Sequence, residues 1–445
     1  MSMATGSATA SSAGADEPLD VLVVGGGPVG ASAAALLKVG ATRARHPLRI
    51  ALLEARRPAP SAPDAAFDAR VSALSRASER ILNAIGAWQL MPQSRLQAYE
   101  RMRVWHESVQ PRSPDVLEFD AAYAGEPNLG YIIENRLVQW AALAAFESAG
   151  GKVIAGELSR LRVHDRHVEL ETSAGTFACR LLVGADGARS SVRESIGLAA
   201  ETSSYRQTAI VANVRTELPH ERTAWQRFLR TGTLAFLPLA DGCSSIVWSA
   251  DDAAAEPLLA LSPSAFEQEL LRQSDAVLGA LKLRTERLSF PLRKLSAHRF
   301  TAHRCALIGD AAHVVHPLAG QGVNLGLLDA AALCELILGA WRMREDPGAQ
   351  SVLRRYERWR KSEIEPMALA IDGFNRYLAH GVGPLSRIAQ RGLALVNRTE
   401  EVKRFFITRA LGLDGELPQI ARRSPAAPPR FEPPAGTMPG SRASD

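Results

Sequence analysis

The chain has 445 residues, 22% charged and 46% hydrophobic, with a formal net charge of +5. Those values are ordinary for a globular protein with room for two domains; the basic excess is mild and spread out, so it carries no argument for nucleic acid. Cys179, Cys243, Cys305 and Cys334 are scattered without a CxxC pair, which favours a reducing compartment and no disulfide framework.

Residues 1–18 are mainly Met, Ser, Ala and Gly with two acids, and no basic residue precedes the first apolar run. They are expected to be a disordered tail and not a secretory signal. No run reaches ~18 uninterrupted apolar residues, so no transmembrane helix is expected. Asp20–Val24 is a short apolar run suited to a buried parallel strand. Gly25-x-Gly27-x-x-Gly30 follows at once, and Ala31–Val39 continues as small residues and leucines. This strand–turn–helix setting is what the dinucleotide-binding fingerprint requires: a tight turn, close backbone approach to pyrophosphate, and a helix N-terminus aimed at phosphates. A second strand, "RIALLEARR" (49–57), ends in Glu54, 24 residues after Gly30. A carboxylate there can accept both hydroxyls of an adenosine ribose. It would also repel a 2′-phosphate in spite of Arg56 and Arg57, so FAD or NAD fits better than NADP. The plainer reading is a glycine-rich structural turn.

Two later stretches select FAD. "RLLVGADGARSSVRESIG" (180–197) is a strand followed by Asp186, with Arg189 and Arg193 on a helix. "RCALIGDAAHVVHPLAGQGVNLGLLDAAALCELI" (304–337) is a strand ending at Gly309-Asp310, then a Pro317-x-x-Gly320-Gln321-Gly322 turn, then a long apolar helix from Val323. Asp310 at its strand end can accept a ribityl hydroxyl. The turn lays a helix N-terminus where it can stabilise negative charge on a flavin pyrimidine ring. His313-x-x-His316 lacks a third ligand, so it reads as a turn beside the flavin and no metal site is expected. His316 is a candidate for active-site contact.

Residues 200–300 read as strands ("TAIVANVRT", "TLAFLPL", "SSIVWSA", "RLSFPL") that suit an antiparallel sheet over the flavin site. Trp225, Phe228, Phe236 and Trp248 read as sheet packing, with an apolar substrate channel as the other use. Residues 351–378 and 385–412 read as arginine-rich helices. Their basic faces are either solvated or able to dock on an anionic membrane or a partner complex. Residues 421–445 are Pro-, Ala- and Arg-rich and are expected to be disordered. There is no G-x-S-x-G, no HExxH and no plausible triad.

Taken together, GxGxxG, "GADGARSSVR" and "LIGDAAHVVHPLAGQGVNLGLLDAAAL" resemble the class A flavoprotein monooxygenases of the para-hydroxybenzoate hydroxylase fold. "FDARVSALSRASERILNAIGAW" (67–88), "GYIIENRLVQWAAL" (130–143) and "HPLAGQGVNLGLLDAAAL" (316–333) are similar to the ubiquinone-biosynthesis hydroxylases among them. The resemblance spans about 19–415. It implies an α/β fold, with a Rossmann-like FAD-binding domain, an interleaved antiparallel-sheet substrate domain and C-terminal helices. The FAD domain would take residues 19–100, 131–200 and 301–345. The substrate domain would take 101–130 and 201–300, the helices 346–415, and disordered tails 1–18 and 416–445.

The resemblance assigns Gly25, Gly27, Gly30 and Glu54 to the ADP half of FAD, and Arg70 to the flavin and pyrophosphate. It assigns Asn135 or Arg136 to the cofactor, and Asp186 to a motif serving FAD and reduced nicotinamide. Asp310 would bind the ribityl chain. Pro317, Gly320, Gly322, Val323 and Asn324 would line the isoalloxazine. NAD(P)H would be a transient co-substrate, because no second GxGxxG is present. A flavin hydroperoxide would be the oxidant, so no protein nucleophile is needed, and no catalytic base is identified. The implied substrates are a polyprenylated phenol and dioxygen, with a small soluble phenol as the alternative, or a structural flavoprotein without oxygenase activity. The implied location is cytoplasmic, at the inner face of a membrane or in a biosynthetic complex.

Overall fold

The computed structural model describes residues 18–42, 47–60, 62, 65–114, 116–317, 321–374 and 414–423. In chain order its elements are β1 (Leu19–Val24), α1 (Pro28–Thr42), β2 (Ile50–Glu54), β3 (Val71–Ser75), α2 (Arg76–Ala84), α3 (Ala87–Leu90), β4 (Gln97–Tyr99), β5 (Arg101–His106), β6 (Leu117–Asp120), β7 (Gly130–Glu134) and α4 (Asn135–Ser148). Then come β8 (Lys152–Ala155), β9 (Leu158–Val163), β10 (Val168–Thr172), β11 (Gly175–Gly184), α5 (Ser191–Ser195), β12 (Ala200–Thr216), β13 (Thr223–Leu229), β14 (Gly232–Pro238), β15 (Ser244–Asp251), α6 (Asp252–Ala260) and α7 (Pro263–Gln273). The chain closes with β16 (Leu281–Leu283), β17 (Leu288–Ala297), β18 (Thr301–Ala302), β19 (Cys305–Leu307), β20 (His313–Val314), α8 (Gln321–Arg342) and α9 (Gln350–Phe374).

The first sheet has eight strands, with the order β18-β19-β11-β1-β2-β8 and the hairpin β9–β10 joined to β11. β1 pairs in parallel with both β11 and β2. Every residue of β1 after Leu19 is buried, because helices cover both faces of such a sheet and an unbroken apolar run is then favoured. α1 is built of alanines and leucines and packs against α4 and α8; small side chains let these helices approach closely.

The second sheet has nine strands, ordered β20-β17-β12-β15-β14-β13-β5-β6, with β16 beside β12. The long β12 bends at an irregularity between Ser204 and Thr208, where Arg206 has a φ of 54°. One pair departs from the expected antiparallel pattern: β13 runs parallel to β5. β5 comes from a separate, earlier passage of chain, so no hairpin turn dictates its direction. A three-stranded sheet, β3-β7-β4, bridges the two larger ones.

α8 is long and apolar enough to cross a bilayer, but 72% of its apolar window is buried. It is the central helix of the core, which accounts for its hydropathy. Residues 414–423 differ from the expected tail from 416 onward. They make a short turn, Gln419–Ala421, with Ala421 fully buried and the Gln419 N–H donating to Glu335 Oε2 at 2.7 Å. Ala421 and Leu417 packed on the core, with hydrogen bonds such as Trp359 Nε1 to Glu416 O at 2.6 Å, fix this segment in spite of its composition. The expected tails 1–17 and 424–445 and the expected helix 385–412 lie outside the described residues.

Candidate functional site

The glycine turn leaves β1 at Gly25, whose φ is 98° and whose N–H donates to Leu53 O at 2.9 Å. A Cβ at Gly30 would stand 1.9 Å from Gly25 O, so only glycine lets α1 start this close to the turn. A Cβ on Gly27 would meet no atom within 4 Å. Open space therefore lies in front of the N-terminus of α1, where an anion would be welcome. Glu54, at the end of β2, accepts from Gly26 N and from Arg56 N, the latter at 2.9 Å. Arg57 is turned away and pairs with Glu147 on α4.

A second wall comes from the loop 62–70 and the β7–α4 junction. Glu134 receives Arg95 Nε and Nη2, each at 2.7 Å, and the Asp68 N–H at 2.7 Å. Arg95 also donates to Ala65 O at 2.8 Å, and Asn213 Nδ2 donates to Phe67 O at 2.9 Å. The loop is thereby held between the two large sheets. Arg70 emerges from it with an exposed side chain that has no ion-pair partner among the described residues. The next residue after Glu134 is Asn135, whose N–H donates to Arg70 O at 3.0 Å and whose Oδ1 accepts from Ser72 Oγ at 2.6 Å. Arg136 is exposed on the outer side of α4.

The third wall is the Gly309–Asp310 turn after β19. Gly309 has a φ of 59° and lies against Val29 of α1 and Gly326 of α8. The Asp310 carboxyl is reached by solvent, yet the surrounding protein desolvates it. That combination marks a residue in a concavity. Burial pushes its pKa up, nearby His313 and Arg70 pull it down, and Asp329 pushes it further up. Behind the turn, Asp329 is fully buried and accepts from Gly309 N at 3.0 Å, His313 Nε2 at 2.6 Å and Arg360 Nε at 2.7 Å. Burial alone would raise its pKa; the charges and hydrogen bonds of His313 and Arg360 outweigh it and hold the carboxyl below its ordinary range. Nothing in the local sequence marks Asp329 or Arg360, which meet only in the fold.

Asp186 sits at the adjoining turn after β11. Its two oxygens cap α5, accepting from Ser190 Oγ at 2.5 Å and Val192 N at 3.1 Å. Arg193 ties this turn to the Gly309–Asp310 turn by donating to Ala311 O at 2.9 Å.

Pro317 is half-buried, Gly320 lies outside the described residues, and a Cβ on Gly322 would meet open space. Val323 packs partly on the core. Asn324 is buried and its amide is committed elsewhere: Oδ1 accepts from Ser75 N at 2.9 Å and Ser78 Oγ at 2.7 Å, while Nδ2 donates to Ala73 O at 2.8 Å. It locks α8 to the β3–α2 junction. His316 donates from Nε2 to Gln207 Oε1 at 2.9 Å, with Tyr205 edge-on at 4.8 Å. The two histidines thus turn to Asp329 and Gln207, not to a shared centre.

Between the nine-stranded sheet and the helices, Val104, Leu117, Phe228, Val315, Leu325 and Ile371 form a buried apolar seam. Val315 and Leu325 bring it to the two ends of the 317–322 turn. Of the four aromatic residues singled out in sequence, Phe228 reaches this seam. Phe236 and Trp248 pack in the separate core of the sheet, with Trp225 at its margin.

The geometry fits FAD: open space before a helix N-terminus, an acid at the next strand end, an arginine with no ion-pair partner among the described residues, and a carboxyl in a concavity beside a second helix start. The family described as "FAD binding domain" matches residues 134–368, more than half of the chain. "Ubiquinone hydroxylase UbiL" of Rhodospirillum rubrum is 36% identical over 428 residues, covering 95% of this chain and 96% of its own. "3-demethoxyubiquinol 3-hydroxylase" of Escherichia coli is 33% identical over 402 residues, covering 89% of this chain and all of its own (100%). The crystal structure of p-nitrophenol 4-monooxygenase PnpA from Pseudomonas putida superimposes with a TM-score of 0.69 at 20% identity, covering 88% of this chain and 98% of its own. That last likeness shows the fold. The enzyme uses FAD with NAD(P)H as co-substrate, and the chain belongs to the ubiquinone-hydroxylase family of FAD-dependent aromatic monooxygenases.

Proposed function

We propose that this enzyme hydroxylates the aromatic ring of a polyprenylated phenol in ubiquinone biosynthesis. The observation that carries the reading is the apolar seam at the start of α8. Its six buried residues pack on one another and put apolar atoms beside that helix start, which is in keeping with a lipid-like substrate more than with a small soluble phenol. The names borne by relatives that match nearly the whole chain support the same substrate class.

In this reading Gly25, Gly27 and Gly30 open the α1 N-terminus to the pyrophosphate of FAD. Glu54 keeps lone pairs for the adenosine ribose beside its two backbone bonds. Arg70 and Asn135 approach from the second wall, and Asp186 orders the turn between them and Asp310. Asp310 accepts from the ribityl chain. Pro317, Gly320, Gly322, Val323 and Asn324 are the residues assigned to line the ring system, and Gly322, Val323 and Asn324 lie in the first turn of α8. Bound FAD supplies electron transfer from NAD(P)H and the activation of dioxygen. The protein's part is to orient the phenol ring, exclude water with the seam, and present the α8 N-terminus to negative charge. Residues 19–100, 131–200 and 301–345 form the cofactor body in this reading, and 101–130 and 201–300 the substrate body.

A bilayer-resident substrate also gives a reason for peripheral contact with the inner face of the cytoplasmic membrane or with a biosynthetic complex. The net charge of +5 supports attraction to anionic lipid. A quinone profile of a strain lacking the gene tests the substrate. Loss of ubiquinone with a prenylated precursor one oxygen short is the expected result. An unchanged pool, with NAD(P)H oxidation stimulated by a small soluble phenol, would sink the reading. Flotation with anionic liposomes tests the membrane contact.

A further inference from the structure

We propose that Asp329 is the positioning residue of the cofactor turn: it aims Asp310 without touching the cofactor. The proposal rests on the assignment of Asp310 to the ribityl chain made above.

Among the described residues the Asp310 carboxylate takes no hydrogen bond, and its side chain has only two torsions. Its direction is therefore set by the backbone that carries it. Arg193 holds that backbone from one side, at Ala311 O, and a single carboxylate brackets it from the other. Asp329 Oδ2 accepts from the residue before Asp310, Gly309 N at 3.0 Å, and from His313 Nε2 at 2.6 Å, three residues after it. The other oxygen, Oδ1, is held by Arg360 Nε at 2.7 Å. Gly309 needs a bracket, because its φ of 59° is a conformation that glycine adopts with no preference over others.

The anchor is enclosed by packed elements. Asp329 is 0% exposed and Arg360 1% exposed, so neither reaches a bound cofactor. They stand on α8 and α9, and His313 packs on Phe300 at 5.8 Å between ring centres. The carboxylate thus transmits the placement of two helices to one turn. A partner that is saturated and buried (Asp329) holds another that is unbonded and solvent-reached (Asp310). This is the division of labour expected of a preorganised ligand and its support.

The test uses full-length protein stripped of FAD. The dissociation constant for FAD is read from quenching of flavin fluorescence, and visible circular dichroism is taken at saturating FAD. Asp310→Asn should weaken FAD binding, and Asp329→Asn should weaken it tenfold or more and alter the dichroism. Glu267→Gln is the control: its carboxylate likewise accepts from two groups, Lys282 Nζ and Leu283 N, each at 2.9 Å, but ties α7 to β16, away from this turn. It should lower the melting temperature and leave FAD affinity within twofold. If Asp329→Asn fails to fold, His313→Gln, which disturbs one side of the bracket, should weaken binding at least threefold. Wild-type affinity in Asp329→Asn or His313→Gln, with Asp310→Asn weakened, overturns the proposal alone. Wild-type affinity in Asp310→Asn overturns the ribityl assignment and the proposal with it.

Discussion

Glu134 and Arg95 form a two-pronged ion pair with side chains only 3% and 1% exposed, and the loop that carries Arg70 is strung from it. Removing one partner of such a pair leaves an uncompensated buried charge, which costs about 3–5 kcal/mol. Glu134→Ala should therefore lose that much stability in urea unfolding of the apoprotein. It should also retain less FAD through purification, because the 62–70 loop loses its tie at Asp68 N. A variant with unchanged flavin content would show that the loop holds its place without the pair.

The glycines of the turn make a contrast that separates fold from binding. Gly30→Ala puts a methyl 1.9 Å from Gly25 O, and neither backbone can move without opening β1 from α1. It should give little folded protein. Gly27→Ala adds a methyl to empty space. Its apoprotein should melt within a degree or two of the parent while FAD binding weakens tenfold or more, about 1.4 kcal/mol. Melting scans with and without FAD check both. Equal FAD affinity in Gly27→Ala would place the pyrophosphate elsewhere.

Why was the glycine turn legible before the structure, and the Asp329 anchor not? β1 announces itself because a strand covered on both faces must be apolar throughout, and Gly25 and Gly30 because no other residue fits their φ or their contacts. Glu54 is found by its place at a strand end. The Asp329–Arg360 and Arg95–Glu134 pairs leave no such trace. Their partners lie 31 and 39 residues apart, and each charged residue sits among others that look alike. Arg360 is one of many arginines in 351–378, and Asp329 reads as one polar break in an apolar helix. Asn324 shows the opposite failure. Its position beside the turn is readable, but the direction of its amide, toward Ser75 and Ala73, depends on where β3 packs. The 414–423 segment is hidden by its composition, since the core that seats Leu417 and Ala421 and the partners that bond it lie far away in sequence.

Two neighbouring carboxyls should give opposite pH dependences. Burial raises the Asp310 pKa, so the fold favours its protonated form. That contribution is full below the ordinary carboxylate value of about 4 and is lost as pH rises through the raised value. Asp310→Asn apoprotein should therefore gain on the parent as pH climbs from 4 toward 8. Asp329 is held low, so its contribution is present above the ordinary value and is lost only as pH falls through the depressed one. The deficit of Asp329→Asn should stay level from pH 5 to 8 and shrink below about 4. Urea unfolding across this range distinguishes the two. Parallel curves for the two variants would contradict the assigned shifts.

The apolar seam offers the sharpest test of substrate class. Val104 stands in β5 opposite Gln226 of β13, is buried, and belongs to one apolar cluster with Phe228, Val315 and Leu325. Val104→Thr keeps the shape and inserts a hydroxyl. An unsatisfied buried hydroxyl costs about 1–3 kcal/mol, which the fold can bear. A prenylated phenol lying along the seam would meet that hydroxyl, so its KM should rise several-fold while kcat falls little. A small phenol confined near the flavin turn would not meet it, and its KM should hold. Steady-state NAD(P)H oxidation with one substrate of each kind reads the difference. Equal effects on both would mean that the seam is core packing and that the lipid tail leaves the site by another route.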